Sequence, residues 1–284
     1  MSFCYINGSY KNNIDALISV EDRGFNFSDG VYEVIGFRKG KLLNLERHMK
    51  RLSKSLIDLQ IRKPFSNQNS LKIIMYHLLK LNDVDDGFLY LQITRGTSKR
   101  NHLFPSKVKP NIVIFTFSKV GLDKIKKGVN IGLTKDQRWM RCDIKSISLL
   151  ANVLDKQSGF EKGFFEVWQL RRNLITEGTT SNAFIVNKQK HIYTHPKNNF
   201  ILGGVTRDCV IEIALKNKLK VIEKAFHIDD IKNCDEAFLT STTLGVIPVI
   251  KIEDKIINKK KIGLVTKTLM KKLDDYLNKQ IYEQ

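Results

Sequence analysis

The stretch RCDIKSI, residues 141–147, places a lysine between apolar neighbours in the middle of the chain. Ile144 and Ile147 flank Lys145 and predict its partial burial just after the turn at Arg141 and Cys142. Buried lysines are uncommon, and an amine removed from water becomes a better nucleophile. A single lysine among 48 basic residues is more often a surface charge. The local pattern therefore makes Lys145 eligible as a catalytic nucleophile, and the rest of the sequence must decide.

Several common catalytic signatures are missing from the sequence. It contains no nucleophile elbow, P-loop, HExxH zinc motif or glycine pattern of the dinucleotide-binding folds. The four cysteines lie far apart, with no CxxC pair and no nearby histidine at the spacing of zinc ligands. The sequence therefore predicts neither a metal site nor a disulfide framework, and it excludes several large enzyme classes.

The chain is strongly basic, with 48 Lys and Arg against 29 Asp and Glu and a formal net charge of +19. This excess is compatible with a protein that binds nucleic acid and has no catalytic activity. The lysines are scattered among acidic and polar residues, however, and the densest run, residues 258–261, is typical of a solvated loop. No recognition helix, zinc finger or aromatic RNA-binding strand accompanies it. We therefore expect no nucleic-acid partner, and we expect the basic charge to attract small phosphates and carboxylates.

The first residues of the chain do not have the pattern of an export signal. Residues 1–8 lack a basic start followed by an apolar stretch, and nowhere do about 18 apolar residues run together. The sequence therefore predicts a soluble, cytoplasmic protein without a membrane partner.

The first 120 residues predict a small α+β domain. The expected elements are a hairpin that turns at Asn7 and Gly8, a strand over 31–37, a helix capped by Asn44 that ends before Pro64, a helix over 71–79, and strands over 88–94 and 112–117. A polar loop from Arg95 to Pro110 separates the last two strands, and such loops often carry function.

Residues 121–284 predict a larger domain in which strands and helices alternate irregularly. We place the boundary at Val120 and Gly121, because a complete α+β pattern precedes it and another pattern follows. The expected strands are 129–133, 164–170, 183–186, 236–239 and 246–252, and the expected helices are 149–162, 206–217 and 264–281.

Five spaced motifs together resemble those of the class IV aminotransferases, most closely the bacterial D-amino acid aminotransferases. They are EDRGF (21–25), SDGVYEV (28–34), RCDIKS (141–146), TEGTTSN (176–182) and LTSTT (239–243). They occur in the order of the family over nearly the whole chain, so coincidence is improbable although each motif alone is a weak signal. The resemblance implies a two-domain α+β enzyme of fold type IV. Its smaller N-terminal lobe is α/β, and its larger C-terminal lobe is rich in β-strands and carries helices.

The resemblance also implies that the cofactor is pyridoxal 5′-phosphate. Lys145 matches the lysine that carries this cofactor as a Schiff base and then moves protons during the reaction. Glu177 matches the glutamate at the pyridine nitrogen, where a carboxylate keeps that nitrogen protonated. The remaining residues that match cofactor contacts are Arg51, Val205, Thr206, Ser241 and Thr242. Without the resemblance, Glu177 is interpreted as an exposed turn residue and Arg51 as a solvated helix charge.

Four further residues match family positions that contact the substrate. Arg100 and His102 match an arginine and a histidine that grip the substrate α-carboxylate, helped by the tyrosine that matches Tyr32. Arginine suits this task because its guanidinium offers a carboxylate two parallel hydrogen bonds. Tyr90 matches an active-site tyrosine, although an aromatic residue on a strand also suits a core. In the family this loop can reach an active site across a dimer interface, so the resemblance implies a homodimer with shared active sites.

The resemblance therefore predicts a D-amino acid transaminase. Such an enzyme passes the amino group of D-alanine or a similar D-amino acid to 2-oxoglutarate in a ping-pong cycle. Two enzymes of the same fold are alternatives, a branched-chain L-amino acid aminotransferase and an aminodeoxychorismate lyase. Both keep the lysine and the glutamate, whereas Arg100 and His102 favour the D-amino acid enzyme.

Overall fold

A computed structural model describes residues 2–118, 121 and 125–282. The chain divides into two compact units. The N-terminal unit contains Met1–Lys119, Ile144–Ser148 and Gln280–Gln284, and the C-terminal unit contains Val120–Asp143 and Leu149–Lys279. Val120, at the boundary expected from the sequence, lies outside the described residues.

The N-terminal unit is built on an antiparallel sheet with the strand order β2-β1-β6-β5-β3-β4. The strands are β1 (Phe3–Ile6), β2 (Ser9–Asn12), β3 (Gly30–Arg38), β4 (Lys41–Leu42), β5 (Gly87–Thr94) and β6 (Asn111–Phe117), and the helices are α1 (Arg23–Phe27), α2 (Leu45–Asp58) and α3 (Gln68–Leu81). Asn7 and Gly8 both have positive φ, as the tight turn between β1 and β2 requires. The expected hairpin is therefore confirmed.

The core of this unit lies between the sheet and the helices. Alternate residues of β3, such as Val31 and Ile35, pack with the apolar stripes of α2 and α3, which include Leu52 and Met75. Asn44 occupies the N-cap position of α2, but it has φ 52° and its side chain makes no capping bond. Its Oδ1 instead accepts from Nε2 of Gln280 at 3.1 Å, so the expectation that its side chain caps the helix is wrong.

The segment Ile144–Ser148 continues the N-terminal sheet. It runs along the first residues of β3, on the side that β4 leaves uncovered. The amide of Tyr32 donates to the carbonyl of Lys145 at 3.0 Å, and the amide of Ile147 donates to the carbonyl of Gly30 at 3.1 Å. These bonds satisfy backbone groups that an open sheet edge would leave unpaired. The segment that carries Lys145 is therefore fixed by backbone pairing.

The C-terminal unit contains a second, mixed sheet with the path β12-β11-β10-β13-β14-β7-β8-β9, and β15 pairs with β14. The strands are β7 (Val129–Lys135), β8 (Glu166–Arg171), β9 (Leu174–Gly178), β10 (Asn182–Val186), β11 (Ile192–Thr194), β12 (Val221–Glu223), β13 (Glu236–Ser241), β14 (Gly245–Ile252) and β15 (Lys255–Ile256), and the helices are α4 (Leu150–Glu161), α5 (Val205–Lys216), α6 (Asp230–Asn233) and α7 (Leu264–Tyr282). The predicted α+β class is confirmed.

Apolar residues cover both faces of this second sheet. One cluster contains Trp168, Leu239 and Ile247, and the other joins Phe184 and Phe238 to α5 and α7. The rings of Phe184 and Phe238 stack with their centroids 4.7 Å apart. Because both faces are covered, β10 and β13 consist almost entirely of buried residues. Within the described part of the chain, no helix has the length and apolar character that crossing a membrane demands.

Candidate active site

Lys145 is half-buried, between the buried side chains of Ile144 and Ser146. Its amide donates to the hydroxyl of Ser55 on α2 at 3.1 Å. Its Nζ lies 4.0 Å from the centroid of the Tyr32 ring. Lys145 thus has a backbone fixed on two sides and an amine that rests on an aromatic face, an arrangement that restricts where the amine can react.

A buried ionic cluster lies beside this lysine in the N-terminal unit. Glu33 is fully buried and accepts two hydrogen bonds of 2.8 Å from Nε and Nη2 of Arg51. Nδ1 of His48, which is also buried, lies 2.7 Å from Oε2 of Glu33. Two bonds from one guanidinium to one carboxylate fix the plane of both groups. Arg51 is therefore held in a set orientation and is not a freely solvated helix charge.

The protonation states of this cluster follow from burial and from its charges. Burial alone would raise the pKa of Glu33, but the adjacent Arg51 guanidinium and the bond from His48 lower it to about 2. Burial lowers the pKa of His48, and the positive charges of Arg51 and Lys145 act in the same direction against the pull of Glu33. Near neutral pH the cluster therefore contains an ionised Glu33, a charged Arg51 and a neutral His48 that donates through Nδ1.

Tyr32 and Tyr90 lie side by side on neighbouring strands, with ring centroids 5.7 Å apart. The hydroxyl of Tyr90 donates to Oε1 of Gln92 at 2.7 Å. Burial, reinforced by the neighbouring Tyr32, raises the pKa of Tyr90 to about 12, so its hydroxyl keeps its proton. The structure thus brings Lys145, Tyr32 and Tyr90 together on one face of the sheet.

Arg100 and His102 are exposed and lie in the loop between β5 and β6. Both contact the ring of Phe27, at 4.9 Å from the Arg100 guanidinium and 5.2 Å between ring centroids for His102. They form a separate group within the N-terminal unit, because their contacts are to Phe27 and the contacts of Lys145 are to Tyr32 and Ser55.

In the C-terminal unit, Glu177 lies on β9 and is buried. It is therefore not the exposed turn residue that the local sequence alone suggests. Its carboxylate accepts from Nη1 of Arg138, from Nδ2 of Asn182 at 3.0 Å and from the amide of Leu202 at 3.0 Å. Burial raises the pKa of Glu177 to about 7, although Arg138 and the other donors oppose this change. Glu177 thus titrates close to neutral pH.

A second carboxylate fixes Arg138. Asp136 accepts from Nη2 of Arg138 and from Nε of Arg171, both at 2.9 Å, and the hydroxyl of Thr176 donates to it at 3.2 Å. The pKa of Asp136 is lowered because these two arginines outweigh its burial. The resulting chain of charges from Asp136 through Arg138 to Glu177 was not predicted from the sequence.

The expected anion-binding residues of this unit lie at the start of α5 and at the end of β13. Helix α5 begins at Val205, and its N-cap is Gly204, which has no side chain to cap the first amides. A Cβ at position 204 would lie 2.1 Å from Oδ1 of Asn182, so any residue larger than glycine there would displace the Asn182 side chain. Val205 and Thr206 are buried in the first turn, where helix amides and the helix dipole favour an anion.

Asn182 connects the expected cofactor residues of the C-terminal unit. Its Nδ2 donates to Glu177 at 3.0 Å and to the carbonyl of Leu202 at 2.9 Å. In the sheet it pairs with Thr240, which directly precedes Ser241. The hydroxyl of Ser241 lies 3.3 Å from that of Thr243, and Thr242 lies between them in the turn to β14. Glu177, the start of α5 and the 241–243 turn therefore form one group.

The expected residues thus form three groups. The first group lies in the N-terminal unit and contains Lys145, Tyr32, Tyr90 and the Arg51 cluster. The second group, also in the N-terminal unit, contains Arg100 and His102. The third group lies in the C-terminal unit and contains Glu177, Val205, Thr206, Ser241 and Thr242. Sequence reasoning missed Glu33, His48, Asp136, Arg138 and Asn182 as individual residues. A usable signal existed for Glu33, because it occupies the apolar face of an alternating strand, where a carboxylate needs a buried partner.

Together these groups supply three kinds of chemistry. Lys145 offers an amine that can act as a nucleophile and a proton carrier, Glu177 offers a buried carboxylate, and Arg51 and the start of α5 offer positive potential for a phosphate. An amine, a carboxylate and a positive potential are the kinds of group that suit the aldehyde, the ring nitrogen and the phosphate of pyridoxal phosphate.

Comparisons with known proteins agree with this chemistry. Residues 30–252 match the model of the family described as amino-transferase class IV. The chain is 40% identical over 270 residues to a D-alanine aminotransferase of Bacillus licheniformis, covering 95% of each chain. It is 37% identical over 279 residues to a D-alanine aminotransferase of Staphylococcus haemolyticus, covering 98% of each.

A solved structure shows the same fold. The branched-chain aminotransferase of Thermoproteus uzoniensis with norvaline superposes with a TM-score of 0.90 over 98% of this chain and 95% of that one. At 21% identity this likeness concerns the fold alone. The family model and the two relatives confirm the resemblance that the five motifs indicated. The chain belongs to the class IV aminotransferase family.

Proposed function

We propose that this aminotransferase is a D-amino acid transaminase that uses pyridoxal 5′-phosphate. It transfers the amino group of D-alanine or a similar D-amino acid to 2-oxoglutarate. The observation that carries the proposal is the half-buried amine of Lys145, fixed 4.0 Å from the Tyr32 ring beside the oriented Arg51. The two relatives named D-alanine aminotransferase, together with the Arg100 and His102 pair, support the D-amino acid substrate.

The proposed cofactor contacts use charges that the fold already orients. Arg51 would bind the phosphate, together with the first amides of α5 at Val205 and Thr206 and the hydroxyls of Ser241 and Thr242. Glu177 would hold a proton at the pyridine nitrogen. When bound, pyridoxal phosphate supplies an electron sink that stabilises negative charge at the substrate Cα.

Lys145 would do two tasks in this enzyme. Its amine would attach the cofactor, and after the substrate displaces it, the freed amine would take the proton from the substrate Cα and return it on the cofactor side. A histidine at this position would manage the proton but not the attachment. The ring of Tyr32 under the amine limits its motion between these two tasks.

The substrate α-carboxylate would be bound by Arg100 and His102, with the hydroxyl of Tyr32 as a further donor. Tyr90 would line the same region, and its protonated hydroxyl would act as a neutral hydrogen-bonding group. The proposal extends to a homodimer with shared active sites, to the cytoplasm as location, and to two domains, residues 1–120 and 121–284.

Visible spectroscopy tests the cofactor. The purified protein is mixed with pyridoxal phosphate, and we expect the absorption band of a lysine-bound cofactor, lost in Lys145→Ala and kept in the exposed-lysine control Lys188→Ala. A band that survives in Lys145→Ala would show that another amine carries the cofactor.

Substrate assays test the reaction. The assays supply D-alanine, L-leucine or aminodeoxychorismate as the substrate, with 2-oxoglutarate as the amino-group acceptor. We expect turnover of D-alanine. Double-reciprocal plots of its initial rates at several 2-oxoglutarate concentrations should give the parallel lines of a ping-pong cycle. Turnover of L-leucine without turnover of D-alanine would favour the branched-chain enzyme. Release of pyruvate from aminodeoxychorismate would favour the lyase.

A further inference from the structure

Arg23 is a buried arginine that binds the backbone of the loop between β5 and β6. Only 3% of its surface is exposed. Its Nη1 donates to the carbonyl of Asn101 at 2.5 Å and to the carbonyl of Leu103 at 3.3 Å. These two carbonyls flank His102 in the sequence. The position of His102 is therefore set on both sides by one guanidinium.

Asp29 fixes this guanidinium in turn. Its carboxylate accepts from Nε of Arg23 at 2.8 Å and from Nε and Nη2 of Arg95 at 2.7 and 3.0 Å. Arg95 also donates to the carbonyls of Leu59 and Gln60, just beyond the end of α2. One carboxylate thus joins the loop to the start of β3 and to the end of a helix, through charge-assisted bonds shielded from water.

Phe27 lies under the side chains of the same loop. The guanidinium carbons of Arg23 and Arg100 lie 4.7 and 4.9 Å from its ring centroid, and the His102 ring lies 5.2 Å away. Arg100 and His102 are exposed, and a long exposed side chain loses conformational entropy when it binds a ligand. A ring that both side chains already contact reduces this loss.

We propose that Arg23, Asp29 and Phe27 are positioning residues for the α-carboxylate of the substrate. Arg23 and Asp29 hold the backbone around His102, and Phe27 holds the side chains of Arg100 and His102. The inference rests on the proposed function, since it takes Arg100 and His102 as the groups that bind the carboxylate. It assigns a task to Arg23 in the motif at 21–25 and to Asp29 in the motif at 28–34, beside the substrate contact already proposed for Tyr32.

Arg23→Lys tests the backbone part of the inference. Lysine keeps the positive charge but lacks the planar fork that reaches Asp29 and two carbonyls at once. We expect the KM for D-alanine to rise roughly tenfold, with kcat and the visible cofactor spectrum nearly unchanged. Trypsin should also cleave the loop faster at Lys99, Arg100 and Lys107, as located by mass spectrometry. The exposed arginine control Arg62→Lys should change none of these quantities.

Phe27→Leu tests whether Phe27 holds the side chains of Arg100 and His102. It also keeps the inference testable if Arg23→Lys does not fold. The loop backbone keeps its bonds to Arg23 in this variant. The KM for D-alanine should rise roughly threefold, the size of a lost exposed cation–π contact, without faster cleavage of the loop. An unchanged KM would overturn the role of Phe27.

A double variant tests whether Arg23 acts through His102. If it does, adding Arg23→Lys to His102→Ala raises KM by much less than it does in the wild-type background. Equal increases of KM in the two backgrounds would overturn the inference. Faster tryptic cleavage of the loop in Arg23→Lys with an unchanged KM would overturn it as well.

Failure of the proposed function gives a different result. A wild-type protein that transaminates no D-amino acid refutes that function, whereas the tryptic cleavage of Arg23→Lys still judges the anchoring. Faster cleavage then supports Arg23 as the anchor of the loop, and unchanged cleavage overturns it.

Discussion

The Nζ of Lys145 lies 4.0 Å from the centroid of the Tyr32 ring, while the Lys145 carbonyl accepts a hydrogen bond from the Tyr32 amide at 3.0 Å. The same two residues are therefore linked through backbone and side chain. The backbone bond fixes the position of the Lys145 main chain, and the Tyr32 ring limits the positions that the Lys145 Nζ can adopt. Preorganisation of this kind lowers the entropy lost when the amine reacts.

We predict that the ring and the hydroxyl of Tyr32 have separable effects. Tyr32→Phe keeps the ring and should retain the cofactor affinity, while the KM for D-alanine rises because one donor to the carboxylate is lost. Tyr32→Leu removes the ring as well and should weaken cofactor affinity by a factor of about five, the size of a modest cation–π contact. Titration of the apoprotein with pyridoxal phosphate, followed by visible absorption, measures this difference. Equal affinities of the two variants would contradict a role for the ring.

Glu33 should make the stability of the protein depend on pH. Its pKa falls from 4.5 to about 2 on folding, so its contribution is complete above pH 4.5 and is lost as the pH falls towards 2. Glu33→Gln leaves Arg51 and His48 with a neutral partner, and we expect a loss of about 3 kcal/mol in the free energy of unfolding at pH 7. Urea unfolding of the cofactor-free protein measures this loss.

The pH series gives the control for Glu33. The difference between wild type and Glu33→Gln should shrink as the pH falls below 4.5, because the wild-type carboxyl becomes protonated on unfolding. The exposed variant Glu161→Gln should show no comparable difference at any pH. A constant difference between pH 7 and pH 4 would mean that the ionised form of Glu33 is not what stabilises the fold.

Glu177 should make cofactor affinity depend on pH near neutrality. Its pKa of about 7 in the cofactor-free protein means that protonation begins as the pH falls below about 8. Only the ionised carboxylate can accept a hydrogen bond from the protonated pyridine nitrogen, so the affinity for pyridoxal phosphate should drop below pH 7. The ionisation of the cofactor itself changes affinity too, and Glu177→Gln separates the two effects. If the cofactor affinity of Glu177→Gln depends on pH in the same way as that of the wild type, Glu177 is not the source of this dependence.

The helices and strands with strong local patterns were predictable from the sequence. Helices α4, α5 and α7 begin and end within one or two residues of the predicted bounds, and in α7 the buried Val265, Leu269 and Leu273 recur at helical spacing. The short helices α1 and α6 and the strands β11, β12 and β15 were missed. Elements of two to five residues have too few residues to show a period, and long-range pairing decides whether they form.

The buried charges of the candidate site were predictable only in part. The family resemblance indicated Lys145, Glu177 and Arg51, but not that Glu33 and His48 hold Arg51 or that Asp136 and Arg138 hold Glu177. Residues 33 and 51 lie on different elements, as do residues 138 and 177, so no local spacing reveals these pairs. A charged residue on an apolar face signals that a partner exists, whereas the tertiary fold determines which residue it is.

Glu236 should anchor the start of α7. Its carboxylate accepts from the amides of Val265 and Thr266 at 3.1 and 2.8 Å and from the Thr266 hydroxyl at 2.8 Å. Glu236→Ala leaves these buried donors without their acceptor, and we expect the free energy of unfolding to fall by about 2 kcal/mol. Gly263→Ala should destabilise the protein as well, because the new Cβ would lie 1.9 Å from Cδ of Glu236. Since the clash requires the carboxylate, the double variant should lose less than the sum of the two single losses, and strict additivity in urea unfolding would contradict this account of the helix start.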